Sequence, residues 1–198
     1  AADYAKAVET FTKALKLDPH NDDIKLERDA AQAKMDALKL KADGEAAMAA
    51  GDLPAAIEKF LAALKLDPSN KAVSDEEAEA EKLLRTRDLK TQADKAMDRG
   101  DYLEAAKLYG MAAALLSSDE SLSALEKLAR NYAKAAELKI QAEAQCKSGD
   151  FADAVLTFDA ALALEPPSYT AIKEEQDLAR AKARALQLKA QGEQDMSA

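Results

Sequence analysis

Lys41, Lys90, Lys139 and Lys189 are each followed, four residues on, by a carboxylate: Glu45, Asp94, Glu143 and Glu193. On a helix four residues return to the same face, so each couple is an ion pair. A single exposed pair is worth at most about 0.5 kcal/mol, and the Lys-first order is the weaker one. Four couples at one spacing form a ladder of fixed charges, and the chemistry open to it is recognition. Such a ladder sets a partner's register more than its affinity. These eight residues are the candidate partner-binding set. The other reactive side chains point to no reaction. Cys146 is the sole cysteine, which excludes an intramolecular disulfide and suits a small core residue. His20 is the sole histidine, too few for a multi-His zinc site or a promising Ser-His-Asp triad. The clusters Asp75-Glu76-Glu77 and Glu174-Glu175 fall early in predicted helices, where they favour the macrodipole. There is no Walker-type loop, GxGxxG or HExxH. The sequence therefore points to no enzyme, no metal and no cofactor.

The elements that must carry these charges are helices. Among 198 residues stand 47 alanines and 26 leucines, against three Val and four Ile. Ala and Leu lose little freedom in a helix, whereas β-branched residues lose rotamers. Six Gly and five Pro leave little punctuation for hairpins. A net charge of -9 argues against a general nucleic-acid binder. The longest uncharged run, Leu108 to Ser118, is far short of the ~20 apolar residues a membrane helix needs. The expected partners are proteins or further copies, with no nucleic acid and no membrane insertion. The expected location is cytoplasmic, with a cytoskeletal assembly as the narrower setting.

A repeat organises the chain. Gly51-Asp52, Gly100-Asp101 and Gly149-Asp150 are evenly spaced, and one more step back reaches Ala2-Asp3. Tyr4, Leu53, Tyr102 and Phe151 share a phase, as do Ala7, Ala56, Ala105 and Ala154. So do Phe11, Phe60, Tyr109 and Phe158, and so do Ala14, Ala63, Ala112 and Ala161. The units are about 2–50, 51–99, 100–148 and 149–198, a single array over 1–198. The tail Leu188–Glu193 repeats Leu40–Glu45, so the chain begins and stops at one phase, as an excerpt of a longer array does. Gly suits the left-handed position after a helix, and Asp the N-cap of the next. Short helices of about 14 residues are predicted near Tyr4–Leu17, Leu53–Leu66, Tyr102–Leu116 and Phe151–Leu164, and long ones of about 30 between them, as over Asn70–Arg99. A break near Arg85–Asp88 is the alternative. The apolar stripe is expected along Ile24, Ala31, Met35, Leu38, Ala42 and Ala46 in the first unit. In the third it is Leu122, Leu125, Ala129, Tyr132 and Ala136.

Leu40, Gly44, Ala47, Gly51, Asp52, Ala56, Phe60, Ala63 and Pro68 together resemble the tetratricopeptide repeat (TPR). The resemblance implies an all-α, TPR-like helical-repeat solenoid of alternating short and long helices, serving as a protein–protein interaction scaffold within a larger protein. About fifteen extra residues lengthen the helix before each Gly, which departs from the usual 34-residue period. In such solenoids the face holding the lysines lines the inner groove. Some members grip an acidic chaperone tail with Lys and Asn; here Glu45, Asp94 and Glu143 replace the Asn, which excludes that role. Residues 89–140 also resemble the three-helix microtubule-interacting-and-trafficking (MIT) domain, through Ala93, Ala96, Gly100-Asp101-Tyr102, Tyr109 and Tyr132. That resemblance implies a module binding helical tails of membrane-remodelling proteins.

Overall fold

Each Gly–Asp junction closes a long helix and opens a short one. Gly51, Gly100 and Gly149 hold φ of +79°, +77° and +89°, the left-handed conformation that glycine adopts without penalty. After the first of them, the amides of Gly51 and Asp52 donate to the carbonyls of Met48 and Ala47, satisfying the end of the helix. Asp52 then turns its carboxylate to the Ala55 amide, and Asp101 does the same for Glu104. Asp150 makes no such cap; its carboxylate accepts from the Ser148 hydroxyl.

The computed structural model describes residues 3–197. Its helices are α1 (Tyr4–Leu17), α2 (Asp22–Ala49), α3 (Leu53–Leu66), α4 (Lys71–Asp98), α5 (Tyr102–Leu115), α6 (Glu120–Ser148), α7 (Phe151–Leu162) and α8 (Tyr169–Ser197). Helix accounts for 86% of the described residues, so the fold is all-α with short and long helices alternating, as expected. Ala2, which the repeat phase uses, and Ala198 lie outside the described residues. The α4 helix runs unbroken through Arg85–Asp88, where the Thr86 hydroxyl donates back to the Lys82 carbonyl. The chain divides within α4 into two units, 1–87 and 88–198.

In the first unit the core joins the last part of α2, all of α3 and the first part of α4: Ala37, Ala56, Phe60, Ala63, Val73 and Ala80. The second unit holds two cores. One draws Leu89, Ala93 and Ala96 together with Ala105, Tyr109 and Ala112 of α5 and Leu122 and Ala129 of α6. The other sets Ala142 of α6 with Phe158 and Ala161 of α7 and Ile172 and Ala179 of α8. Within the second unit α6 thus serves α5 with its first part and α7 with its last.

This double service corrects the predicted stripes. In α2 the buried positions are Ala31, Ala37 and Gly44, while Leu38, Ala42 and Ala46 are exposed. In α6 burial passes from Leu122 and Ala129 to Ala135 and Ala142, leaving Ala136 exposed. A helix that packs on two neighbours in succession must change face part-way, so one continuous period cannot describe it.

Candidate interaction surface

Within the three cores the small residue and the aromatic face each other. Gly44 lies so close to Phe60 that an added Cβ would come within 2.6 Å of the ring. Ala93 shares a core with Tyr109, and Ala142 with Phe158. Phe60 and Phe158 are fully buried. These residues are framework, and they fix where the neighbouring lysines emerge.

Lys41 leaves α2 about one turn before Gly44, which packs on Phe60, and meets two carboxylates. It pairs with Glu45 one turn on, and its Nζ donates to Glu76 Oε1 of α4 at 2.6 Å. Lys139 repeats the arrangement: it pairs with Glu143 on α6 and with Glu175 Oε1 of α8 at 2.9 Å. Only 19% of the Lys41 side chain and 25% of the Lys139 side chain is exposed, so both cations are held mostly within the fold. Their carboxylate hydrogen bonds, Glu45 then Glu76 and Glu143 then Glu175, hold both ammonium groups above the ordinary lysine pKa. Glu76 and Glu175 each keep their other oxygen buried.

Lys90 is placed otherwise. It pairs with Asp94 at 2.9 Å, and 45% of its side chain is exposed. No carboxylate stands on α6 at the place of Glu76 or Glu175, because that residue is Leu125. Instead the Tyr109 hydroxyl donates to Asp94 Oδ1 at 2.6 Å. Burial opposes the charge of Asp94, but the bonds from Lys90 and Tyr109 outweigh it and hold the carboxyl below its usual range. Burial first, then Asp94, pushes the Tyr109 phenol well above its ordinary value. Lys189 stands 3.6 Å from Glu193 near the end of α8, with 72% of its side chain exposed. The eight residues selected from the sequence thus sit on helices as four ion pairs, two of them with an added carboxylate from the next long helix.

Sequence reasoning missed Glu76, Glu175 and Tyr109 as members of this set. The signal was available inside the chain: Glu27, Glu76 and Glu175 share a phase, and its one exception, Leu125, falls in the unit where Phe becomes Tyr. A second missed position pairs with the aromatic that opens three of the short helices, α1, α5 and α7. The Lys34 ammonium lies 5.8 Å from the Tyr4 ring centre and that of Lys182 lies 5.3 Å from Phe151, while Tyr132 meets Tyr102 edge-on at 5.4 Å.

The remaining candidates behave as framework. Cys146 is half-buried against the Phe158 core, and burial raises its thiol pKa. His20 is exposed. Among the described residues no His, Cys, Asp and Glu cluster could hold a metal ion, and no helix is long and apolar enough to cross a membrane. A tetratricopeptide repeat family model matches residues 2–21, which hold α1 and its closing Asp18-Pro19 turn. No curated protein and no solved structure matches the chain. The matched stretch and the all-helical fold support a TPR-like helical repeat, and tetratricopeptide repeats generally mediate protein–protein interaction.

Proposed function

We propose that this chain is a non-enzymatic interaction scaffold, a TPR-like structural segment of a larger cytoplasmic or cytoskeletal protein, and that its units belong to one longer array. The observation that supports the reading best is the unequal use of the lysines. Lys41 and Lys139 are tied to two carboxylates within the fold, whereas Lys90 and Lys189 each hold one carboxylate and are more exposed, with Asp94 also bound by the Tyr109 hydroxyl. A partner helix of acidic or mixed charge finds its register on these exposed pairs. Binding of a synthetic acidic amphipathic helix, and of any partner recovered with it as bait, is the test. Lys90→Glu weakens that binding and flattens its salt dependence while the circular dichroism spectrum stays unchanged. Unchanged affinity at low salt removes the charge pairs from the function.

A second reading, an MIT-like module, is favoured by the three-helix core around α5. Beside it a groove of about 480 Å³ runs between α5 and α6, lined by Leu103, Ala106, Gly110 and Met111 and rimmed by Lys107 and Arg130. A helical tail docked there shifts the NMR signals of Leu103 and Met111 and leaves those of Lys90 and Asp94 in place.

A further inference from the structure

The core around Phe158 differs from the other two at one repeat phase. Met48 packs against the Phe60 core and Met97 against the Tyr109 core, whereas Cys146 stands at that phase against the Phe158 core. The shorter side chain leaves space. A cavity of about 440 Å³ opens there, between the last part of α6 and the middle of α8. Phe158 and Ala179, both buried, form its floor, and Cys146 and Leu178 line its sides. The exposed Lys147 and Lys182 stand at its rim. The end of the chain does not make this opening. Leu128, one unit earlier at the phase of Leu178, is 37% exposed although α7 and α8 follow it.

The charges around the cavity are unequal. Glu143 and Glu175 line it too, but Lys139 holds both. Among the described residues Lys147 and Lys182 hold no carboxylate in an ion pair: Lys147 acts on Glu143 only from a distance, and Lys182 lies 5.3 Å from the Phe151 ring centre. Lys182 also acts on the Cys146 thiol, lowering a pKa that burial raises, so its charge reaches the cavity wall. We propose that this cavity takes a small amphiphilic anion, a monocarboxylate whose apolar body lies on Phe158, Ala179 and Leu178 and whose head meets Lys147 and Lys182. The volume and the apolar lining with a few placed charges are those of small-ligand sites. An anionic head fits because the carboxylates are already neutralised and the two rim cations are not. This goes beyond the scaffold reading and uses none of its residues: Lys90, which tests that reading, lies on α4, so either can fail alone.

Isothermal titration calorimetry of the full chain with octanoate tests it, and iodoacetamide alkylation of Cys146, the sole cysteine, gives a local readout. The expected result is octanoate binding by about 1 mM, with slower alkylation as the site fills. Octanol, which lacks the charge, binds about fivefold more weakly or worse, the worth of the rim charges. Lys147→Gln together with Lys182→Gln lowers octanoate affinity to the same degree and removes its salt dependence. Cys146→Met fills the cavity and abolishes binding, while thermal unfolding stays at least as high, because Met48 and Met97 show that methionine suits this phase. No octanoate binding at about 1 mM overturns the proposal. So does binding that Cys146→Met leaves unchanged, octanol that binds as tightly as octanoate, or alkylation that saturating octanoate does not slow.

Discussion

Lys41 in the first unit and Lys90 in the second solve one problem differently. Both rise from the last third of a long helix whose core side packs on an aromatic, and both hold a carboxylate one turn on. Around Lys41 the aromatic is Phe60, and a second carboxylate crosses from α4. Around Lys90 the crossing carboxylate is replaced by Leu125, and the aromatic gains a hydroxyl that binds Asp94. The first arrangement ties two helices through a cation. The second ties them through an anion shared between Lys90 and Tyr109. The exchange leaves one lysine shielded and the other half-exposed, so the two sites share a framework and present different surfaces.

The framework gives the largest effect. Phe60→Ala empties a fully buried site against Gly44 and costs about 3–5 kcal/mol. Hydrogen exchange locates the loss in the core of α2, α3 and α4, while amides of α7 and α8 keep their protection, because contacts in such folds are between neighbours. Equal loss in both units contradicts this.

The lysines come next and separate the two arrangements. Lys41→Met leaves Glu45 and Glu76 facing each other without their cation, and costs about 1–2 kcal/mol, the worth of a charge-assisted bond partly shielded from water. Lys90→Met removes an exposed pair and costs less than about 1 kcal/mol. Urea unfolding monitored in each unit measures both; equal costs would mean that the second carboxylate adds nothing.

The Tyr109 and Leu125 exchange is smaller and sharper. Tyr109→Phe removes one hydroxyl–carboxylate bond, at about 1 kcal/mol. Leu125→Glu alone places a charge beside a core that Leu125 partly fills. Together they recreate the Lys41 arrangement around Lys90. The double variant is therefore more stable than the sum of the single losses, by a coupling of about 0.5 kcal/mol or more. Additive losses would show that the two substitutions are unrelated.

How much of this was legible in the sequence follows from what was local. Gly51, Asp52 and Pro68 act on their own backbone, so the short-helix limits were readable to within a residue or two. The charge couples were readable because four residues on a helix is a fixed geometry. Glu76, Glu175 and Tyr109 were not found, because their partners lie fifteen or more residues away and the pairing needs three helices side by side. The stripe failed for a related reason: Ala135 replaces Ala136 in the buried set only because α6 turns from α5 to α7.

The smallest expected effect is the response to acid, and it bears on the same comparison. Asp94 and Glu143 both have carboxyls held below their ordinary values, Asp94 by Lys90 and Tyr109 against burial, Glu143 chiefly by Lys139. A depressed carboxyl contributes stability above its unfolded value of about 4 and loses it as pH falls through the folded value. Glu77 works the other way: burial and the neighbouring Glu81 raise its pKa, so protonation relieves a cost there. It lies in the first unit, and Asp94 and Glu143 lie in the second. Asp22 in the first unit is also held low, by Lys25, but in the second unit Asp119, held low by Ser121, and Asp177, by Lys173, join Asp94 and Glu143, so acidification below about pH 4 weakens the second unit more than the first. Asp94 and Glu143 are substantially exposed, so the difference is small and salt reduces it. Asp94→Asn flattens the acid response around α5 and leaves that around α7, where Glu143 still titrates. Residue-resolved hydrogen exchange across this range checks it, and an acid response unchanged around α5 in Asp94→Asn would detach the Tyr109–Asp94–Lys90 arrangement from stability.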